Sequence, residues 1–416
     1  MHYFITTLFA LLLSLNLFAK EPSKVTVGSD LLFSDEHAPT LNKKKLGLIT
    51  NHTAVNRHME STISLIKQNA KKFGYTLTAL FAPEHGINGS SHASELIADL
   101  KDEDGIPIYS LHGKTRRPTP EMLKKIDILV YDIQDIGSRS YTYIATLFYA
   151  MEEAAKQDIE VVVLDRPNPI NGVVIDGPML DSQLRSIVGY INVPYCHGMT
   201  IGELAHFFNT EYKIGCKLKV VKMKGWKREM SFQDTGLVWI PTSPNIPEAT
   251  TPFYYPMTGL LGELQIVNIG IGYTLPFKVI GAPWIDAKKF ADKLNDQKFP
   301  GVRFEPFYYK PFYGRFKNED CQGVLIFVTN PLNFKPVSTQ YLIIGMLKSL
   351  YPAKFDEGIA ASISRKEMFT KVNGSPEIYK IMTELNNIVW KLRSFQEKER
   401  ADFTLLRKKY LILDYN

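Results

Sequence analysis

The sequence predicts an α/β protein with a doubly wound parallel sheet over roughly 22–255, followed by a smaller α/β or α+β domain over 256–416. Three observations lead there. The chain has 416 residues, too many for one ordinary domain and suited to two. Several short, continuous apolar runs have the character of strands buried on both faces. These runs alternate with amphipathic helical patterns, the signature of repeated β–α–β crossovers.

Taken in order, strands are expected over 46–50, 75–81, 126–131, 160–164 and 217–223. The helix expected over 59–73 has Met59, Ile63, Ile66, Ala70 and Phe73 near one stripe. Thr119-Pro120-Glu121 opens another helix, with a capping residue and then proline in the first turn. From 142 to 157, Ile144, Leu147, Phe148, Met151 and Ala155 share a face. Thr200 and Glu203 form a capping-box pattern opening a helix to Tyr212. The stretch 239–256, rich in Pro and Thr, reads as a long ordered loop between domains. Beyond it, Asp286 caps a helix containing Phe290 and Leu294, 323–329 reads as a strand and 339–350 as a helix. Ser375-Pro376 opens one long C-terminal helix carrying Ile378, Met382, Leu385, Val389 and Leu392 in register.

Composition narrows the function classes. An apolar share of 45% and a charged share of 22% describe a globular chain. The net charge of +6 is mild for this length, no nucleic-acid motif is present, and the lysine run Lys43-Lys44-Lys45 is too short to read as more than a solvated face. The apolar run from Phe4 to Ala19 is shorter than a spanning helix and turns polar at Lys20-Glu21-Pro22. It reads as a signal peptide over 1–19, which places the mature chain in the periplasm or outside the cell without stable membrane insertion. Cys196, Cys216 and Cys321 fit no zinc spacing, and their odd number leaves at least one thiol unpaired.

The chemistry concentrates where strands end. Asn51-His52-Thr53 follows the first strand, Pro83-Glu84-His85-Gly86 the second, Asp132-Ile133-Gln134-Asp135 the third and Asp165-Arg166-Pro167-Asn168 the fourth. In open α/β sheets ligands bind in the crevice beyond these ends. Each residue also has a plainer explanation. An Asp after a strand often caps the next helix, Gly86 suits a turn of positive φ, and Tyr141, Tyr143 and His197 fit a core or an ordered loop. The sequence holds no HExxH, GxSxG or Walker A motif, and no GxGxxG after the first strand. No spacing favours a metal site.

Gly47-Leu-Ile-Thr-Asn51, Pro83-Glu-His-Gly86, Asp132-Ile-Gln-Asp-Ile-Gly137, Arg139, Tyr141-Thr-Tyr143, Leu164-Asp-Arg-Pro-Asn-Pro-Ile170, His197-Gly-Met-Thr200, Ser243-Pro-Asn245 and Gly281-Ala-Pro-Trp-Ile-Asp286 occur in this order. Together they resemble the exo-β-N-acetylmuramidase (NamZ-like) family, and the likeness runs on through Trp390, Leu392, Phe395 and Arg400. The resemblance implies a Rossmann-like catalytic domain, a smaller C-terminal domain and a site in the cleft between them. It implies an exo-acting glycoside hydrolase that releases N-acetylmuramic acid (MurNAc) from non-reducing ends of peptidoglycan fragments, with no metal or organic cofactor. Where many members carry Ser-Glu-Gly-Arg-Gly-Thr, this chain reads Asn268-Ile-Gly-Ile-Gly-Tyr273, so Ile269 and Ile271 replace an acid and a base. The loop after Pro83-Glu-His-Gly86 usually has an Arg near Asn88, and here it does not.

The family's favoured acid falls on Glu84. Desolvation beside Phe81 and Pro83 is expected to raise its pKa, with His85 tuning it or orienting the sugar. Asp132 or Asp135 is the candidate base or nucleophile; alternatively the substrate's acetamido oxygen attacks while an Asp orients its N–H. Arg139 and Arg166 are candidates for the lactyl carboxylate, although Arg166 also suits an internal pair with Asp132 or Asp165. Asn51, Gln134, Asn168 and Asn245 are assigned to sugar hydroxyls and Tyr141 or Tyr143 to stacking, with Asp165 and His197 completing the substrate-binding set. The alternatives are a glycosidase for another terminal amino sugar, a non-catalytic peptidoglycan-binding protein and a metal-dependent phosphoesterase. Oligomeric state is left open.

Overall fold

The computed structural model describes residues 24–92, 95–96 and 98–416; the signal peptide expected over 1–19 lies outside them. The larger sheet is built from β1 (Lys45–Thr50), β2 (Thr76–Ala82), β3 (Leu100–Lys101), β4 (Pro107–Ser110), β5 (Ile128–Asp132), β6 (Glu160–Leu164) and β7 (Leu218–Val221), in the order β3-β4-β2-β1-β5-β6-β7. All pairings are parallel except the two-residue edge strand β3. Without that edge the order is the doubly wound one, and the winding reverses between β1 and β5.

Strand residues alternate between two covered faces. Leu46, Leu48, Leu80, Ile128, Val130 and Val162 pack with Ile66 of α1 (Thr62–Phe73). Ile49, Phe81, Leu129, Tyr131 and Val163 face the other way, onto α2 (Thr142–Lys156) and α3 (Ile201–Glu211) through Leu147, Phe148 and Phe208. The expected helix over 59–73 starts later, because Met59 is exposed at φ 67° and Ser61 caps the first turn. The capping box of Thr200 and Glu203 is present.

The second domain holds an antiparallel sheet, β8-β10-β9, of β8 (Val279–Ala282), β9 (Val302–Tyr309) and β10 (Cys321–Val328). It is covered by α4 (Ala287–Asp296) and α5 (Pro336–Leu350). Phe290, Val324 and Leu347 belong to the same continuous core as Phe81 and Phe148, so the domains share one apolar interior. The long C-terminal helix is a correction: it breaks into Pro376–Glu384 and Ile388–Ser394. Lys348 Nζ donates to the carbonyls of Met382, Thr383 and Leu385, and Asn387 takes a left-handed φ of 54°. A buried-stem lysine thus satisfies the carbonyls that a continuous helix would have used internally. The expected loop 239–256 ends in a helical turn, Thr251–Tyr254, that runs into a π-helical turn, Tyr255–Gly259. Cys196, Cys216 and Cys321 are buried, unpaired thiols. No helix among the described residues is long and apolar enough to cross a membrane.

At the switch between β1 and β5 the polar groups close the crevice. Asp132 is 0% exposed and bound by Arg166 through Nε at 2.5 Å and Nη2 at 2.9 Å, with Thr62 Oγ1 on its second oxygen. The remaining Arg166 nitrogen donates to Val55 O. Asp165, also fully buried, accepts from Thr200 Oγ1, Gly202 N and Tyr415 Oη, and so anchors the start of α3 and the C-terminal tail. A Cβ on Gly202 would lie 2.9 Å from the Asp165 carboxyl carbon, so this approach needs glycine. Asp132, Arg166 and Asp165, expected to act on substrate, are thus placed in the framework. Asp132→Ala would leave the Arg166 guanidinium buried without its counter-ion. We expect a loss of about 3–5 kcal/mol in chemical denaturation, with turnover per folded molecule little changed.

Candidate active site

The crevice that stays open lies one strand away from the switch, against the second domain. After β2, Gly86 N donates to Pro83 O, and His85 and Gly86 both take positive φ, 68° and 78°. Positive φ at a residue with a Cβ is uncommon and is held here by specific bonds. His85 Nδ1 meets Ser91 O at 2.8 Å, and Ser91 N donates to His85 O. A carbonyl only accepts, so Nδ1 carries a proton.

This turn delivers Glu84 to the first turn of α2. The residue is 8% exposed, and its carboxylate accepts from Thr142 Oγ1 at 2.6 Å. His112, just beyond β4, has Nε2 3.7 Å from the other Glu84 oxygen. Burial holds the His112 imidazole below its ordinary pKa, partly offset by Glu84. Glu84 opens onto a cavity of about 400 Å³, walled on the first-domain side by His85, Ser140, Tyr141 and Thr142 and by the segment Ser243 to Ile246. Tyr255, at the junction, and Glu263, Ile269, Ile271 and Arg365 of the second domain close it. Tyr141 and Tyr255 meet edge to face at 6.1 Å. Burial pushes the Tyr255 phenol up to about 12 and Tyr141 higher still, so both are hydrogen-bonding hydroxyls and not phenolates at neutral pH.

Of the candidate site residues, Glu84, His85, Tyr141 and Asn245 meet at this cavity, together with Ile269 and Ile271 of the divergent stretch; the other candidates do not line it. Arg139 is 1% exposed and donates to the carbonyls of Pro178, Val193, Val372 and Asn373, tying the two domains together, and burial lowers its pKa to about 10. Tyr143 lies fully in the core and donates to Thr242 O. Asn51 Oδ1 accepts from Thr53 N and Oγ1, Asn168 bridges Met199 O and Ile170 N, and Gln134 donates to Asp135 O and Pro167 O. Asp135 accepts from Gly137 N, and burial raises its pKa to about 7. His197 is buried, lowered to about 3 and therefore neutral, and accepts from Met199 N. Among the described residues no cluster of three or more His, Cys, Asp or Glu is arranged to hold a metal.

Sequence reasoning missed Thr142, His112, Ser140, Tyr255, Glu263 and Arg365. Thr142 stands inside the Tyr141-Thr-Tyr143 motif and so carried a signal. His112 follows a strand that sequence patterning did not reveal. Tyr255 sits at the domain junction and Glu263 and Arg365 come from the second domain, so only packing brings them to the cavity that Glu84 lines.

Residues 46–250 match the family described as "Exo-beta-N-acetylmuramidase NamZ, N-terminal", and residues 253–413 its C-terminal counterpart. A Bacillus subtilis (strain 168) protein named "Peptidoglycan beta-N-acetylmuramidase NamZ" is 42% identical over 400 residues, 96% of this chain and 94% of that one. Two crystal structures of DUF1343 family proteins from Bacteroides fragilis NCTC 9343 share the fold, each over 94% of this chain and 99% of theirs. One has a TM-score of 0.86 at 42% identity, the other 0.67 at 25%. With both halves matched in sequence order and a relative of this identity spanning nearly the whole chain, the protein is a member of the NamZ exo-β-N-acetylmuramidase family of glycoside hydrolases.

Proposed function

We propose that this chain is an exported exo-β-N-acetylmuramidase that removes MurNAc from the non-reducing ends of peptidoglycan fragments, with Glu84 as general acid. The observation that carries the assignment of Glu84 is its place: a nearly buried carboxyl, fixed by Thr142, at the wall of a cavity closed by two domains. At about 400 Å³ the cavity is at the small end of ligand pockets, which suits a terminal sugar better than a threaded polymer. Exit of the leaving chain needs a proton on the glycosidic oxygen as the bond to the anomeric carbon lengthens. Glu84 gives that proton, and water completes the anomeric carbon, releasing free MurNAc. The neutral hydroxyls of Tyr141 and Tyr255 and the side chain of Asn245 supply sugar contacts.

MurNAc differs from its neighbour in the glycan by a lactyl carboxylate. Arg139 and Arg166 are committed to carbonyls and to Asp132, whereas Arg365 lines the cavity and is solvent-exposed. It is assigned the carboxylate. The apolar wall of Ile269 and Ile271 favours a second reading, a glycosidase with a less charged terminal amino sugar as substrate. Side-by-side chromogenic MurNAc and N-acetylglucosamine glycosides separate the two.

Two outcomes test the assignment. Glu84→Gln retains shape and removes the proton; turnover should fall by about 10²–10⁴-fold, and retention of more than about a tenth would remove Glu84 as the acid. Arg365→Ala should raise KM for MurNAc glycosides by roughly 10–100-fold, the worth of a charge-assisted hydrogen bond. kcat, and any activity on the uncharged glycoside, should be nearly unchanged. Equal loss on both substrates would contradict the role.

A further inference from the structure

A glycosidic bond broken with water needs a second group to act at the face of the sugar away from the acid. The expected partners for that role, Asp132 and Asp135, do not line the cavity. Among the described residues one other carboxylate does: Glu263, from the second domain. It follows directly on the π-helical turn Tyr255–Gly259 and the short helix Leu260–Gly262, a kind of irregularity common at functional sites. Its position is fixed from both sides. Glu263 N donates to Gly259 O, and Leu261 N is held by the buried Gln340 amide oxygen at 3.0 Å. Ile269 packs against Gly262, where a Cβ would come within 2.3 Å of the isoleucine methyl.

The Glu263 carboxyl makes no hydrogen bond or ion pair with a described side chain or backbone group; only its main-chain oxygen is engaged, by Arg365 at 3.4 Å. Glu263, Glu84 and Tyr255 line the same cavity, and both carboxylates add to the rise in the Tyr255 phenol's pKa that burial causes. Burial lifts the Glu263 pKa, with Arg365 opposing the rise. A framework carboxylate in this protein looks different: Asp132 and Asp165 spend their oxygens on several donors. An unbonded, partly desolvated carboxylate at a cavity wall is the pattern expected of a proton acceptor.

We propose that Glu263 is the general base of the reaction, taking a proton from the water that attacks the anomeric carbon while Glu84 protonates the leaving oxygen. This rests on the reading of Glu84 as acid. The bond from the anomeric carbon to the bridging oxygen breaks, and a bond from that carbon to the water oxygen forms. The water's proton goes to Glu263, and the Glu84 proton goes to the leaving hydroxyl. One water is consumed, and proton exchange with solvent restores both carboxyls. Attack from the face opposite the leaving group gives the α-anomer of the free sugar from a β-linked substrate. The other titratable groups around the cavity are His85 and His92 from the loop after β2, Tyr141, Tyr195 and Tyr255 between the domains, and Arg365 beside Glu263.

The test uses the full chain, a MurNAc-terminated disaccharide, and the variants Glu263→Gln and Glu84→Gln. For Glu263→Gln we expect kcat to fall by about 10²–10⁴-fold with KM within a few-fold of wild type. The acidic limb of the kcat profile, lying above the ordinary carboxylate range, should disappear. Sodium azide should restore turnover by forming the α-glycosyl azide, which an unfolded variant would not do. Proton NMR of the wild-type reaction should show the α-anomer first. More than about a tenth of wild-type turnover in Glu263→Gln, a retained acidic limb, absence of azide rescue or a β-anomer as first product would overturn the proposal. If Glu84→Gln is inactive while Glu263→Gln is active, only the base assignment fails; if Glu84→Gln is active, the reading beneath it fails as well.

Discussion

The hydrogen bond from Thr142 to Glu84 is the contact on which the site depends. It joins the turn after β2 to the first turn of α2 and fixes the carboxyl at that helix start. The turn pays for this with two successive residues at positive φ, one of them His85, whose ring is in turn pinned to Ser91. Everything else about the cavity follows from bringing a second domain against that point. The shared apolar core and the Arg139 bonds to Val372 and Asn373 hold the two domains in one arrangement.

Strand ends in this protein divide into two kinds. Those at the β1/β5 reversal are filled by their own side chains, with Asp132, Arg166, Asp165 and Asn168 consuming one another's hydrogen-bonding capacity or capping helices. The end of β2 instead opens onto the cavity, where its carboxyl meets the Thr142 hydroxyl and the His112 imidazole. The crevice expected of an open α/β sheet is therefore displaced by one strand, toward the partner domain that supplies the other wall. Ile269 and Ile271 make that wall apolar and leave charge to Glu263 and Arg365 at its edge.

Much of the larger domain was legible in the sequence because its signals are local. The apolar run at 160–164 coincides with β6, and the capping residues at Thr200 and Glu203 mark α3 to within a residue. The short strand β4 was not legible, since four residues beginning with Pro107 offer no periodicity, and His112 was lost with it. The break in the C-terminal helix depends on Lys348, some forty positions away. At the site, Glu84 and Tyr141 stood out by motif. Asp132 and Arg166 stood out equally, because a motif records which residues must be kept together and not whether they face a ligand or each other. Glu263 and Arg365 carry no motif; their importance comes from packing across the domain boundary.

The central claim is that a terminal sugar occupies the space between Glu84 and the Tyr255–Glu263 segment. A crystal structure of the Glu84→Gln variant soaked with a MurNAc-terminated disaccharide tests it most directly. The account predicts one sugar ring in the cavity, its glycosidic oxygen within hydrogen-bond distance of the substituted side chain and its lactyl group toward Arg365. A sugar bound at the β1/β5 reversal beside Asp132 and Arg166, or seated in the cavity with its glycosidic oxygen turned away from position 84, would contradict it.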